Sequence, residues 1–269
     1  MHCCGERGKV DDWVFIPSPE FSVPYPPLPH IFHDSLGLRV LCRAPSEKAI
    51  QSALPWPLKA TSDLFILNLG NSDNVSGYPC KEWQINTPIK WKNNAGGTTV
   101  IEYINSDMGL LAGRNIWGWP KKMADIVWTQ TATGWTFECY KQQDQGHILL
   151  MRIEFTPSAS PSGITWPSTK PSYFVKRTPN ADPTVEPLIQ VVCVGCGAPS
   201  PRCAGYSATT TVVPGTAKVE FFDGPHDPLT FLGPVEVLDA QMSFSQGAGC
   251  LDLGTVVDTL STPTMCPEK

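Results

Sequence analysis

Short runs of aliphatic, β-branched and aromatic residues recur along the chain, separated by turn formers, and several alternate apolar and polar positions with the period of a half-buried strand. Strands are expected at residues 36–42, 64–69, 98–104, 148–155, 188–194 and 217–222. Residues 126–131 and 135–140 flank Ala132-Thr133-Gly134, a short glycine-bearing connection between two strand patterns, which reads as a hairpin. The best helix pattern begins at Ser46, whose side chain can accept free amide hydrogens of a first turn, and runs to about Leu54 before Pro55. Residues 156–172, rich in Pro and Ser, read as a surface loop, because strand patterns of one kind lie on both sides. No internal repeat is visible.

Composition sharpens this outline. The 27 prolines and 22 glycines are spread throughout, which interrupts long helices and favours strands joined by turns. With 41% hydrophobic and 17% charged residues the 269-residue chain can bury a substantial core, and it is read as one domain, 1–269, with 1–20 as an N-terminal extension. A net charge of -5 with scattered Lys and Arg offers no basic stripe, so nucleic acid is not expected as a partner. No apolar signal core follows Met1 and no run approaches a membrane span, so a cytoplasmic protein without membrane contact is expected. The ten cysteines are therefore expected to be reduced thiols, and Cys193-Val194-Gly195-Cys196 a strand end rather than half of a zinc site. No nucleotide, serine-hydrolase or metal signature occurs, and neither metal nor cofactor is expected. His226, within Asp223-Gly224-Pro225-His226-Asp227-Pro228, reads as part of a turn.

The segment with most chemical content is Gly113-Arg114-Asn115-Ile116-Trp117-Gly118-Trp119-Pro120-Lys121-Lys122, two lysines after a proline in an aromatic stretch. Extended backbone sends adjacent side chains to opposite faces, so only one lysine can enter the interior. Burial disfavours an ammonium, and a free amine can add to a ketone and form a Schiff base. Read alone, the pair is first a buried or snorkelling lysine with no chemical task, and the nucleophile is the second reading.

Gly113-Arg114-Asn115 followed by Pro120-Lys121-Lys122 resembles the Gly-Arg-Glu and Pro-Lys-Lys block of the acetoacetate decarboxylases. Further likenesses occur in order at Cys80-Lys81-Glu82 with Thr87-Pro88-Ile89, at Pro171-Ser172-Tyr173-Phe174-Val175-Lys176, and from Gly215 to Asp223. An activated lysine is that family's known nucleophile, so the resemblance, not the spacing, implies Lys121 as the Schiff-base lysine and Lys122 as its outward-facing neighbour. It further implies Glu82 as proton shuttle and Arg114 as a supporting residue. It implies a mainly β (α+β) fold, a large curved antiparallel sheet closing toward a cone or barrel with a few short helices, and a homo-oligomer. The activity implied is decarboxylation of a β-keto acid or related ketone.

Three departures alter the expected site. Ser35 stands in the place of a family arginine, Asn68 in that of a second glutamate, and Asn115 in that of the glutamate of Gly-Arg-Glu. Without the arginine, desolvation is expected to raise the pKa of Glu82, and a substrate larger than acetoacetate is expected to meet Ser35 and Asn68. Trp117, Trp119 and Tyr103 fit equally a wide aromatic pocket for a flat ketone and ordinary core packing. Aldol addition with dehydration, or a non-covalent cyclase, remains open as another use of the same fold.

Overall fold

The computed structural model describes residues 28–143, 146–182 and 184–261, so the N-terminal extension and Cys3, Cys4 and Cys266 lie outside the described residues. The strands are β1 (His30–Arg43), β2 (Lys59–Ala60), β3 (Leu64–Val75), β4 (Tyr78–Trp91), β5 (Asn94–Ile104), β6 (Lys121–Met123), β7 (Asp125–Gln130) and β8 (Trp135–Gln143). There follow β9 (Gly146–Pro157), β10 (Ser172–Thr178), β11 (Leu188–Val194), β12 (Ala208–Phe221), β13 (Asp223–Gly224), β14 (Asp227–Pro228), β15 (Glu236–Leu251) and β16 (Thr255–Leu260). All six expected strands form and most extend further, because each finds neighbours that continue its ladder. The hairpin is β7–β8, with Gln130 opposite Trp135.

Fourteen strands share one sheet, in the order β16-β11-β10-β5-β4-β3-β1-β15-β12-β9-β8-β7, with β2 on β4 and β6 on β5. The mainly β class is as expected, but closure is not found: the path is open among the described residues, with β16 and β7 at its ends. Nor is the sheet wholly antiparallel. The free edge of β5 is shared by β6, beside Glu102–Ile104, and by β10, which touches it at Gly97; both pairings are parallel. A parallel neighbour needs a crossover. Helix α2 (Asp107–Ala112; α1 is the earlier Glu47–Ala53) and the wide π-type turn Gly113–Trp117 supply it between β5 and β6. Ser46 caps α1 by accepting from the Ala49 amide at 3.2 Å.

One face of the sheet carries the main core, where Trp83, Tyr103, Phe65, Phe137 and Phe155 are essentially inaccessible to water. Across β1, β3 and β4 the opposite face is polar. Of the loop expected at 156–172, residues 156 and 157 end β9 and 172 begins β10, and 158–165 are exposed as expected; further on, Trp166 donates from its indole to Asp239 at 2.7 Å, and residues 167–170 close over the polar face. No helix of the described residues is long and apolar enough to cross a membrane.

The expectation of reduced cysteines is corrected at four positions. Cys193 is bonded to Cys196, and Cys203 to Cys250 on β15. The first pair meets because the chain turns at Gly195, with φ +80°, directly after β11. Those two sulfurs serve each other, so their spacing is not half of a metal site. Cys42, Cys80 and Cys139 are free and buried, and burial raises their thiol pKa values.

Candidate active site

Strand register builds the site. Arg39 on β1 pairs with Asn68 on β3, Asn68 with Gln84 on β4, Gln84 with Glu102 on β5, and Glu102 with Lys121 on β6. Directly paired residues share a face, so these five side chains form one row across five strands on the polar side. Glu82 lies two residues from Gln84 on the same face and pairs with Gly70 and Ile104. The alternate register, Tyr103 with Lys122, faces the other way. The single lysine expected to enter the interior is thus Lys121, 8% exposed, while Lys122 turns to the opposite face and binds Asp227 at 2.6 Å.

Two glycines make room for this geometry. A Cβ added at Gly113 would fall 2.2 Å from Cε and 2.5 Å from Cδ of Lys121, so that position must be bare for the amine to lie where it does. Gly118 ends the wide turn in the left-handed region, φ +81°, with its Cα side pressed on the Lys176 backbone. Gly113→Ala is therefore expected to displace the lysine. Its kcat should fall about 100-fold, since ångström-scale misplacement of a reacting group costs that much, with about 1–3 kcal/mol of stability lost to overpacking. Steady-state kinetics together with a melting curve measures both.

Lys121 Nζ lies 2.6 Å from Glu102 Oε1, and Glu102 is wholly buried. The approach is off the hydrogen-bond direction, so among the described residues neither oxygen of Glu102 accepts a well-aligned hydrogen bond. Burial pushes the Glu102 carboxyl up to about 8, with Lys121 opposing and Glu82 adding to the rise. For Lys121, burial disfavours the ammonium, but Glu102 and Glu82 act the other way and win, raising its pKa above the ordinary lysine value. The expectation that burial alone would free the amine is corrected accordingly. Above about pH 8 the resting amine is an ammonium held by a carboxylate that itself has a high affinity for protons. Transfer of the proton to Glu102 neutralises both groups and suits a dry site.

Lys121, Glu82, Gln84, Tyr78, Cys80 and Trp119 line one cavity of about 240 Å³. Burial is the main cause that pushes the Tyr78 hydroxyl up to about 12. The Lys121 ammonium lies 5.3 Å from the centre of the Trp119 ring. Glu82 Oε1 accepts from Gln84 Nε2 at 3.2 Å, and Gln84 Oε1 accepts from Asn68 Nδ2 at 3.3 Å and Asn86 Nδ2 at 3.2 Å. Two neighbouring cavities share these walls. One, of about 230 Å³, reaches Ser35, Gly37, Gly70 and Glu82, and the other, of about 380 Å³, reaches Arg39, Asn68, Gln84 and Lys170. A larger outer cleft of about 490 Å³ borders Lys121 and Trp119 from the other side, together with Lys122 and Arg114. No carboxylate lines it, and the acids that Lys121 meets are Glu82 in the central cavity and the buried Glu102.

Of the residues singled out from the sequence, Lys121, Glu82, Trp117 and Trp119 border the central cavity, with Asn68 and Ser35 in the adjoining ones. Tyr103 does not join them. It is fully buried on the core face and donates to Asp227 at 2.7 Å, so it is a structural residue and not a pocket wall. Trp117 is 2% exposed, donates to the Asp252 carbonyl at 3.0 Å and packs on His30 and Trp119, a rigid back wall. Arg114 is exposed, and no hydrogen bond or ion pair of its guanidinium is found among the described residues. Glu102 escaped the sequence reading. Its signal was present: it is the single charge in the strand from Asn94 to Ile104.

Residues 44–259 match the family profile of acetoacetate decarboxylase (ADC). The chain is similar to acetoacetate decarboxylase 3 of Mesorhizobium japonicum, 29% identical over 104 residues, which is 38% of this chain and 40% of that protein. It is also similar to the acetoacetate decarboxylase of Burkholderia multivorans, 28% identical over 124 residues, 43% of this chain and 48% of that protein. The aligned stretches thus span less than half the length of these curated relatives. Among solved structures, acetoacetate decarboxylase from Legionella pneumophila superposes with a TM-score of 0.71 at 17% identity, covering 96% of this chain and 99% of that one. MppR, an enduracididine biosynthesis enzyme complexed with pyruvate, superposes with a TM-score of 0.66 at 16% identity, covering 90% and 96%. At such identities the likeness establishes the fold.

Proposed function

The chain belongs to the acetoacetate decarboxylase family, and from that premise we propose that it is a Schiff-base-forming lyase acting on a β-keto acid, with Lys121 as nucleophile, Glu102 as its base and Glu82 as proton donor. The observation that carries this reading is the 2.6 Å contact between Lys121, which borders the central cavity, and the wholly buried carboxyl of Glu102 behind it, with the Glu82 carboxylate lining the same cavity. Glu102 takes a proton from Lys121, and the freed amine adds to the ketone carbon. Loss of water leaves an iminium, whose nitrogen accepts the electron pair as the bond to the substrate carboxylate breaks and carbon dioxide departs. Glu82 then protonates the resulting enamine carbon, and water releases the product and regenerates the amine. A Trp117–Trp119 wall on one side keeps bulk water from the iminium.

Because the Glu102 carboxyl is pushed up to about 8, it already holds a proton at lower pH and cannot take one from Lys121. The value of kcat/KM is therefore expected to fall as pH drops through about 8. Carbon dioxide release from a series of 3-oxo acids, followed from pH 6 to 10, tests both the reaction and this limb. A pH-independent rate across that range contradicts the role of Glu102.

A second reading is favoured by Ser35 and Asn68, which leave the region beside Glu82 without the charges of the family pattern. There the same iminium would serve aldol addition and dehydration. Imine formation without carbon dioxide release would select it.

A further inference from the structure

The row of paired residues that ends at Lys121 begins at Arg39, and the cavity there is cationic. Arg39 lies on the same face of β1 as Ser35, four residues on, so positive charge is present in this chain but further along the strand. Its guanidinium sits 4.8 Å from the centre of the Trp166 ring, and Trp166 itself is tied to Asp239. Lys170, from the loop that closes over this face, borders both the Arg39 cavity and the Lys121 cavity. Among the described residues no carboxylate pairs with either cation. Burial lowers the pKa of both, with no carboxylate opposing it. Lys170 is nevertheless exposed, at the mouth of the two cavities it borders. Arg39, half-buried and without a carboxylate, is incompletely solvated and gains from an arriving anion, to which Lys170 adds a second positive charge from the rim. The intervening side chains, Asn68 and Gln84, are neutral amides suited to flank a polar chain without competing for its charge.

We propose that Arg39 and Lys170 form a subsite for a second, remote acidic group of the substrate, so that the natural substrate is a β-keto acid carrying another anion at the far end of its chain. This rests on the reading of Lys121 as the imine-forming amine, which fixes the ketone end. Arg39 and Lys121 are separated by four strand spacings, about 19 Å between backbone positions along a flat sheet and less once the sheet twists and both long side chains reach inward. The carboxylate of acetoacetate, two bonds from the carbonyl carbon, does not bridge that gap. It leaves as carbon dioxide, whereas the remote anion stays bound and holds the ketone against Lys121.

The test separates this subsite from the covalent chemistry. Binding of hexanoate, hexyl phosphate and hexanamide, none of which can form an imine, is measured by calorimetry on the full chain. At least one anion is expected to bind roughly 10-fold or more tightly than the amide, the scale of a hydrogen bond to a charged partner. The stronger anion identifies the acidic group. Arg39→Met with Lys170→Met should erase the preference, and Arg39→Lys with Lys170→Arg should keep it, which guards against a folding artefact. Equal affinity for anion and amide, or a preference that survives in the double methionine variant, overturns the subsite. In parallel, 6-oxoheptanoate and 2-heptanone are reduced onto the protein with borohydride. Faster labelling by the keto acid in the wild type alone agrees with the proposal. Labelling by neither overturns the covalent reading while the hexanoate result still decides the subsite.

Discussion

Lys121→Arg is expected to reduce kcat by a factor on the order of 10⁴ to 10⁶, the range seen when an enzyme loses its nucleophile. Arginine is the informative replacement. Its guanidinium stays charged and keeps a cation beside Glu102, so the buried carboxylate is not left without a partner, yet it cannot condense with a ketone. Replacement by methionine removes the cation as well and strands a wholly buried carboxyl, a change that costs about 3–5 kcal/mol when one partner of a buried pair is deleted. Loss of activity there would mix chemistry with folding. Steady-state rates with a melting temperature near that of the wild type isolate the nucleophile, and full turnover by Lys121→Arg rules it out.

Glu102→Gln is expected to lower kcat/KM by about 10² to 10⁴, the usual contribution of a positioned general base. The more telling readout is the pH profile. In the wild type the acid limb near 8 belongs to the buried carboxyl. The amide cannot titrate, so that limb should vanish. The stronger of the two attractions holding Lys121 as an ammonium is also gone, and burial then lowers the amine's own pKa. A new limb reporting Lys121 should replace the old one, at a lower maximal rate. A residue that merely packs would reduce rate or stability at every pH and leave the limb in place. Glu102→Asp keeps the charge but withdraws it from the amine, and should recover the limb with part of the rate.

Much of this arrangement was legible before the structure. Period-two alternation after Pro120 sufficed to admit only one of the two lysines to the polar side, because strand geometry is local, and the family resemblance pointed to Lys121; Lys122, expected to face outward, instead lies half-buried on the opposite face against Asp227. The cap at Ser46 and the turn at Gly134 were equally local, one a side-chain acceptor and the other a connection too short for other conformations. The strands that were missed have mixed signals. Strand β4 contains Pro79 and Pro88, which argue against a strand by themselves, and β15 carries Ser243, Ser245, Gly247 and Gly249 at alternate positions. Their place is set by neighbours distant in the chain. Glu102 was missed for the same reason. Nothing near it in sequence shows that the crossover through Gly113 and Gly118 will lay Lys121 alongside, and without that register it reads as one exposed carboxylate in a strand. The error about the amine followed directly: burial was weighed without the acids that accompany it. The cysteine pairs depended on a tight turn at Gly195 and on Cys250 of β15 reaching Cys203 in the turn that follows β11, contacts that cysteine spacing does not encode.

The most direct test of the account is chemical capture of the substrate during turnover. Borohydride added to the wild-type protein with a 3-oxo acid that it decarboxylates should inactivate it. Peptide mass mapping should then find a single reduced adduct on Lys121, absent from Lys121→Arg. Steady release of carbon dioxide with no adduct, or an adduct on Lys122 with Lys121 unmodified, would contradict it.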